Sequence, residues 1–204
     1  AHADVKNVFH NPAFAGLNKR HQEISYVDWL PNLTDDMGYQ SILYTSSLGW
    51  SSEIFYFNYG TQIQADQGGI ILGDFESSSY RVSGGYGFGI GDWLFGARLN
   101  LYNHNFIDSF DIKMNYGFDI GAYKEFGNTS LGLVLKDVGG ETEFLDQELN
   151  LPMSVGIGVG QKFGDFTLAS DVKFYEDYNS IGLGGQYDLG IASLKLGYYT
   201  ESEF

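Results

Sequence analysis

The residues able to do chemistry are few, and their spacing suits none of the usual reactions. His2, His10, His21 and His104 lack the His-Glu-x-x-His spacing that brings two imidazoles onto one metal ion. Three of them lie in an irregular N-terminal stretch, so they read as surface residues or as part of that stretch, and no metal or cofactor is expected. The runs GGYGFGIG and GIGVG resemble dinucleotide loops only in glycine content. Their period is two, and no strand-to-helix transition follows them. No Gly-x-Ser-x-Gly elbow appears, and the carboxylate pairs Asp35-Asp36 and Glu176-Asp177 fall in loops rather than in a defined cleft. An enzyme is not expected.

Charge at alternate positions is more informative. Arg98, Lys113, Asp119, Lys136, Asp171, Lys173, Asp188 and Lys195 recur on the glycine-bearing side of segments whose other side is apolar. Mixed charges facing a common interior either cross-link and stiffen a closed wall or line a water-filled path. A second set, Asp66, Asp74, Glu76, Asp108, Asp111, Glu141, Glu143, Asp146 and Glu148, falls in the long connections. Such an acidic rim can bind divalent cations, bridge through them to anionic lipopolysaccharide, meet a basic partner, or simply be solvated.

The elements that would position these groups are strands. In WLFGARLNLYN, Trp93, Phe95, Ala97, Leu99 and Leu101 share one face, while Gly96, Arg98, Asn100 and Tyr102 share the other. The division repeats in about eleven segments starting near Glu23, Met37, Ser52, Tyr80, Trp93, Ile112, Ser130, Met153, Phe166, Ser180 and Ala192, with no amphipathic helix between them. Short links at Gly91-Asp92, Gly127-Asn128-Thr129, Gly164-Asp165 and Gly190-Ile191 alternate with longer ones at 64–79, 105–111 and 138–152 and a shorter one at 176–179. Gly-Asp and Gly-Asn pairs suit primed hairpin turns, which need positive φ. Tight turns at one edge, loops at the other and two chemically distinct faces predict an all-β fold, an antiparallel transmembrane β-barrel. A soluble sandwich or lipocalin-like barrel is the alternative. It fits less well, because about eleven long strands enclose more space than these side chains fill.

Composition agrees. The chain has 204 residues, 28 of them glycine, no cysteine and a formal charge of −15 from 11 basic and 26 acidic residues. That charge excludes duplex nucleic acid as an expected partner, and the lack of cysteine removes disulfides and thiolate metal sites. No apolar run is long enough for a spanning helix, and no signal peptide opens the chain. The odd strand count and the abrupt ending GYYTESEF suggest an incomplete barrel.

Taken in order, NPAFAG, ISYVDWLPNLTDD, FNYGTQIQADQGGIILGDFESSSYRVSGGYGFGIGDWLFGARLNLY, YGFDIGAYKEFG, SLGLVLKDVGG, LPMSVGIGVGQKFG and GLGGQYDLG resemble the PorV/PorQ group. These are outer-membrane barrels related to the FadL transporters, and several are parts of the type IX secretion system. The Asn-Pro-Ala motif also opens the related FadL and PorP/SprF barrels, so it does not choose among them. The resemblance implies a FadL-like barrel over 23–204, in the outer membrane of a Gram-negative bacterium. It also implies that residues 1–22, with Asn11, Pro12, Ala13 and Gly16, form a plug that enters or underlies the lumen on the tight-turn side. A well-fixed start to the first strand is the other reading of that motif. Family members usually run longer, with a fuller hatch and further strands. The expected partners are outer-membrane lipid and other envelope or secreted proteins. Two functions follow: an accessory, partner-holding barrel of a secretion or surface-attachment system, or a transporter of a hydrophobic ligand. A lumen that reads as glycine-rich and charged favours the first, and a soluble β-domain stands as a third option.

Overall fold

The computed structural model describes residues 7–29, 36–66, 68–105, 114–144 and 147–203; for 141–144, 147–150 and 202–203 it describes the backbone alone. The chain is all-β. Eleven strands form one antiparallel sheet in sequence order: β1 (His21–Asp28), β2 (Met37–Thr45), β3 (Trp50–Ala65), β4 (Ile71–Ile90), β5 (Trp93–Asn105), β6 (Asn115–Phe126), β7 (Thr129–Val138), β10 (Ser154–Phe163), β11 (Phe166–Phe174), β12 (Tyr178–Asp188) and β13 (Ser193–Glu203). A separate hairpin, β8 (Glu141–Phe144) with β9 (Gln147–Asn150), interrupts the connection expected to be a loop over 138–152. The edges β1 and β13 do not pair with each other, so the sheet is open.

Strand starts agree with the sequence pattern to within a few residues, except at β4. Its segment was expected to begin at Tyr80 after a loop over 64–79. Instead β3 and β4 run on and pair with each other from Thr61↔Glu76 to Ala65↔Ile71, whereas among the described residues β2 follows β3 only to Tyr59 and β5 follows β4 only to Ser78. The result is a two-stranded arm. The tight turns at the opposite edge have the geometry their residues favour, with Gly91, Gly127, Gly164 and Gly190 all at φ between 58 and 81°.

Burial is inverted relative to a protein folded in water. The buried apolar residues are Val8, Ala13, Phe14, Ala15, Leu43 and Tyr123, and they gather where the N-terminal segment meets the sheet. Buried polar and charged residues are more numerous and include Glu53, Arg98, Asn100, Asn115 and Asp119. Large apolar side chains on the other face stand exposed, Ile54, Val82, Ile120, Leu168 and Leu183 among them. Charged groups are almost never fully buried unless paired, so the inner face must satisfy them by contact.

Candidate functional site: the polar inner face and the segment docked on it

The inner face is built by glycine and closed by the N-terminal segment. Asn11 has extended backbone (φ −145°, ψ 112°), as a residue before proline should, and it caps a 3-10 helix over Pro12–Leu17 by accepting from the Ala13 N–H at 3.0 Å. Its amide Nδ2 donates to the backbone oxygens of Ala122 (3.2 Å) and Leu133 (3.1 Å), a register pair of β6 and β7. This short helix fits because the wall beneath it lacks side chains. A Cβ on Gly96 would overlap the Pro12 carbonyl, one on Gly121 the Asn11 side chain, and one on Gly87 the backbone at Gly16. Phe14 packs edge-on to Tyr123 with ring centroids 5.0 Å apart. All these contacts lie within a few residues of the tight turns.

Charge on this face is organised rather than scattered. Arg98 donates from Nε to Asp119 Oδ2 at 3.0 Å and from Nη2 to the Phe9 carbonyl at 2.7 Å, so the inner wall holds the segment directly. Asp119 faces both Lys136 and Asp137 of β7 across a bulge, where Asp137 adopts a left-handed φ of 57° and donates its N–H to Asp119 Oδ1 at 2.9 Å. Tyr102 donates its hydroxyl to Asp137. Arg81 pairs with Glu53 at 2.9 Å and lies over the Phe55 ring. Breaking a buried pair such as Arg98–Asp119 by removing one partner costs about 3–5 kcal/mol, because the other charge is stranded.

The remaining expected residues are placed differently. Lys136, Asp171 and Lys173 face inward, and none of the three makes an ion pair among the described residues. Lys195 shares the inward side of the edge strand β13 but is exposed. Asp188 is the last residue of β12 and shares the inward side by register. It sits at the rim, where its carboxylate accepts from the Gly190 N–H at 3.0 Å and fixes the last tight turn. Lys113, Asp108, Asp111 and Asp146 lie outside the described residues, as do the side chains of Glu141, Glu143 and Glu148. Asp74 and Glu76 lie on strand β4, not in a loop, and are exposed. Asp66 caps the arm's tip, its Oδ1 accepting from the N–H groups of Gly68 and Ile70, both at 2.8 Å.

Two features escaped the sequence reading. Tyr39, Phe55, Phe57 and Tyr59 project inward near the loop edge, with Tyr39 stacked on Phe55 at 5.4 Å and Phe57 4.6 Å from Tyr59. The inner face is therefore not only glycine and charge. The signal was in EIFYFNYG, where Phe55, Tyr56 and Phe57 put aromatic rings on both faces of one strand. The second feature is a double aromatic band on the outer face. Phe88, Trp93, Phe126, Phe163, Phe166 and Tyr187 ring the tight-turn end. Tyr80, Tyr116, Phe118 and Phe174 ring the loop end, and mostly aliphatic residues lie between. Lys124 lies over Trp93 and Phe126 within the first band, at 5.4 and 4.7 Å from their ring centroids. No protein-family model matches the chain, and no curated protein matches it either.

Proposed function

We propose that this chain is an outer-membrane β-barrel component that holds a partner protein, an accessory part of a secretion or surface-attachment system of the PorV/PorQ kind. The membrane part of the reading rests on the outer face. Two aromatic bands flanking an aliphatic zone are what both interfaces of a bilayer select. Eight residues separate Tyr80 from Phe88 and ten separate Tyr116 from Phe126. At about 3.3 Å per residue and a tilt of about 40° these spans cover roughly 20–25 Å, close to the apolar band of such barrels. A bilayer tolerates no open strand edge, so in the membrane the edges β1 and β13 must be paired.

The partner-holding part rests on one observation, the β3–β4 arm. It carries Ile63, Ile70, Ile71 and Leu72, each 62–66% exposed, beside Asp66, Asp74 and Glu76. An isolated two-stranded ribbon is marginal in water, and an exposed apolar patch rimmed by charge marks an interaction surface. The arm's root is fixed, since Asp36 Oδ2 accepts from both the N–H and the hydroxyl of Thr61 at 2.7 Å. A second reading, passage of a hydrophobic small molecule, draws support from the inward rings of Tyr39, Phe55, Phe57 and Tyr59. Against it, Asn7, His10, Asn11, Asp171 and Lys173 interrupt the otherwise apolar lining of the cavity beside the N-terminal segment.

The deciding experiment is affinity purification from detergent-solubilised envelopes, with mass spectrometry of proteins and lipids. The wild-type chain should carry a stoichiometric protein partner. A variant with 62–74 replaced by a two-residue Asn-Gly turn should lose it while still extracting only with detergent. Bound apolar ligand without a partner would sink the adaptor reading, and recovery in the aqueous fraction would sink the membrane one.

A further inference from the structure

The N-terminal segment leans on β4, β5 and β6, and between it and the wall of β7, β10 and β11 lies a cavity of about 330 Å³. Missing side chains make the gap, because the wall presents Gly132, Gly156 and Gly158 there. The volume is at the small end of ligand pockets. Asn11 and Phe14 form one side, with His10 beside them, and Asp171 and Lys173 project from the other.

Asp171 and Lys173 share one face of β11 two residues apart, about 6.5–7 Å along the strand. Neither has a hydrogen bond or ion pair among the described residues, whereas Arg98 and Arg81 on the same inner face are both paired. An unpaired carboxylate and an unpaired ammonium facing one small cavity match a ligand that bears both charges. Lys136 adds positive charge at the lysine end: it opposes Ser154, two residues toward the loop edge from Gly156, the residue that Lys173 opposes. Lys173 lies toward the loop edge and Asp171 toward the tight turns, so the cavity is dipolar along the strand direction.

We propose that this cavity binds a small zwitterion of amino-acid or dipeptide size, its carboxylate toward Lys173 and its ammonium toward Asp171. The proposal rests on the reading of the inner face as a lumen, but it fails separately: detergent partition tests the barrel, and titration tests the site. Calorimetric titration of the detergent-solubilised chain with alanyl-alanine should show saturable binding. The N-acetylated and the C-amidated dipeptides, each lacking one charge, should bind at least about tenfold more weakly, a difference of about 1.4 kcal/mol. Asp171→Asn should weaken alanyl-alanine to a similar degree and leave the acetylated dipeptide unchanged. Gly158→Val supplies the steric test. A Cβ there meets Asp171 Cβ at 3.6 Å, an ordinary contact, so the strand accommodates the side chain while the cavity fills. Binding should then be lost with both charges in place. No saturable binding to the wild type, equal binding of the capped dipeptides, or indifference to Gly158→Val would each overturn the proposal.

Discussion

His10 links the docked segment to pH. Its ring lies against the inner face of the sheet, and loss of hydration together with the fields of Lys136, Lys173, Arg98 and Arg81 holds its pKa down to about 4, against an ordinary 6.5. Asp171, the acid lining the same cavity, does not cancel that effect. Because the docked state has the lower pKa, it binds fewer protons than the released state. The stabilisation from a neutral His10 is therefore full above pH 6.5 and is lost as pH falls from 6.5 toward 4. The Phe14 and Asn18 amides, which donate to Asn11 O at 3.2 Å and Ala15 O at 3.1 Å, report docking. Their hydrogen-exchange protection, corrected for intrinsic rate, should drop between pH 7 and 5 in the wild type and stay level in His10→Gln. Level protection in the wild type would show that the cation field does not reach the docking equilibrium.

The arm's tip poses a parallel question for Asp66, which is either a partner contact or a turn cap. Its Oδ1 already accepts from Gly68 and Ile70, and Gly69 takes the positive φ of 82° that the turn requires. Asp66→Ala should forfeit about 1 kcal/mol locally. Exchange of the Gly68 and Ile70 amides should accelerate about fivefold, while Thr61, gripped by Asp36, keeps its protection. Uniform loss of protection along the arm would mean that the tip and root melt together. The arm also marks where the sequence stopped being legible. Alternation fixed ten of the eleven strand starts to within a few residues, because each of those strands has one apolar face. In ADQGGIILGDFESSS, glycines, acids and serines read as loop, and only pairing of β3 with β4 beyond the rest of the sheet makes them strand. The site was partly legible for the same reason. Arg98 and Asp119 could be assigned to the inner face by parity, but parity does not show that they pair with each other and hold Phe9. Parity likewise put Asp188 on the inward side at the end of β12, but does not show that its carboxylate accepts from Gly190 and fixes the turn.

At the scale of the molecule, one substitution separates the two environments the outer face could meet. Ile120 lies mid-strand on β6 and is 56% exposed, while Phe126 lies in the tight-turn band and is 51% exposed. Near-equal exposure makes the pair a controlled comparison. In water, arginine at exposed Ile120 shifts stability by no more than about 0.5 kcal/mol, and at Phe126, where it replaces the ring under Lys124, by up to about 1 kcal/mol. In a bilayer the cost depends on depth, at about 2–4 kcal/mol near the midplane and about 0–1 near an interface. Urea titration of folding into phospholipid vesicles should therefore show Ile120→Arg destabilised by about 2–4 kcal/mol and Phe126→Arg by at most about 1. The inner face makes the opposite demand. Ser83 at the level of Val82 already donates to Asn100 at 2.8 Å, so the wall is polar where the outer face is aliphatic, and a sheet one residue thick separates the two. Equal, small effects of the two arginines would place both faces in water and remove the reason for the inverted burial; a steep depth dependence would give the aromatic bands, the paired inner charges and the glycine wall a single cause.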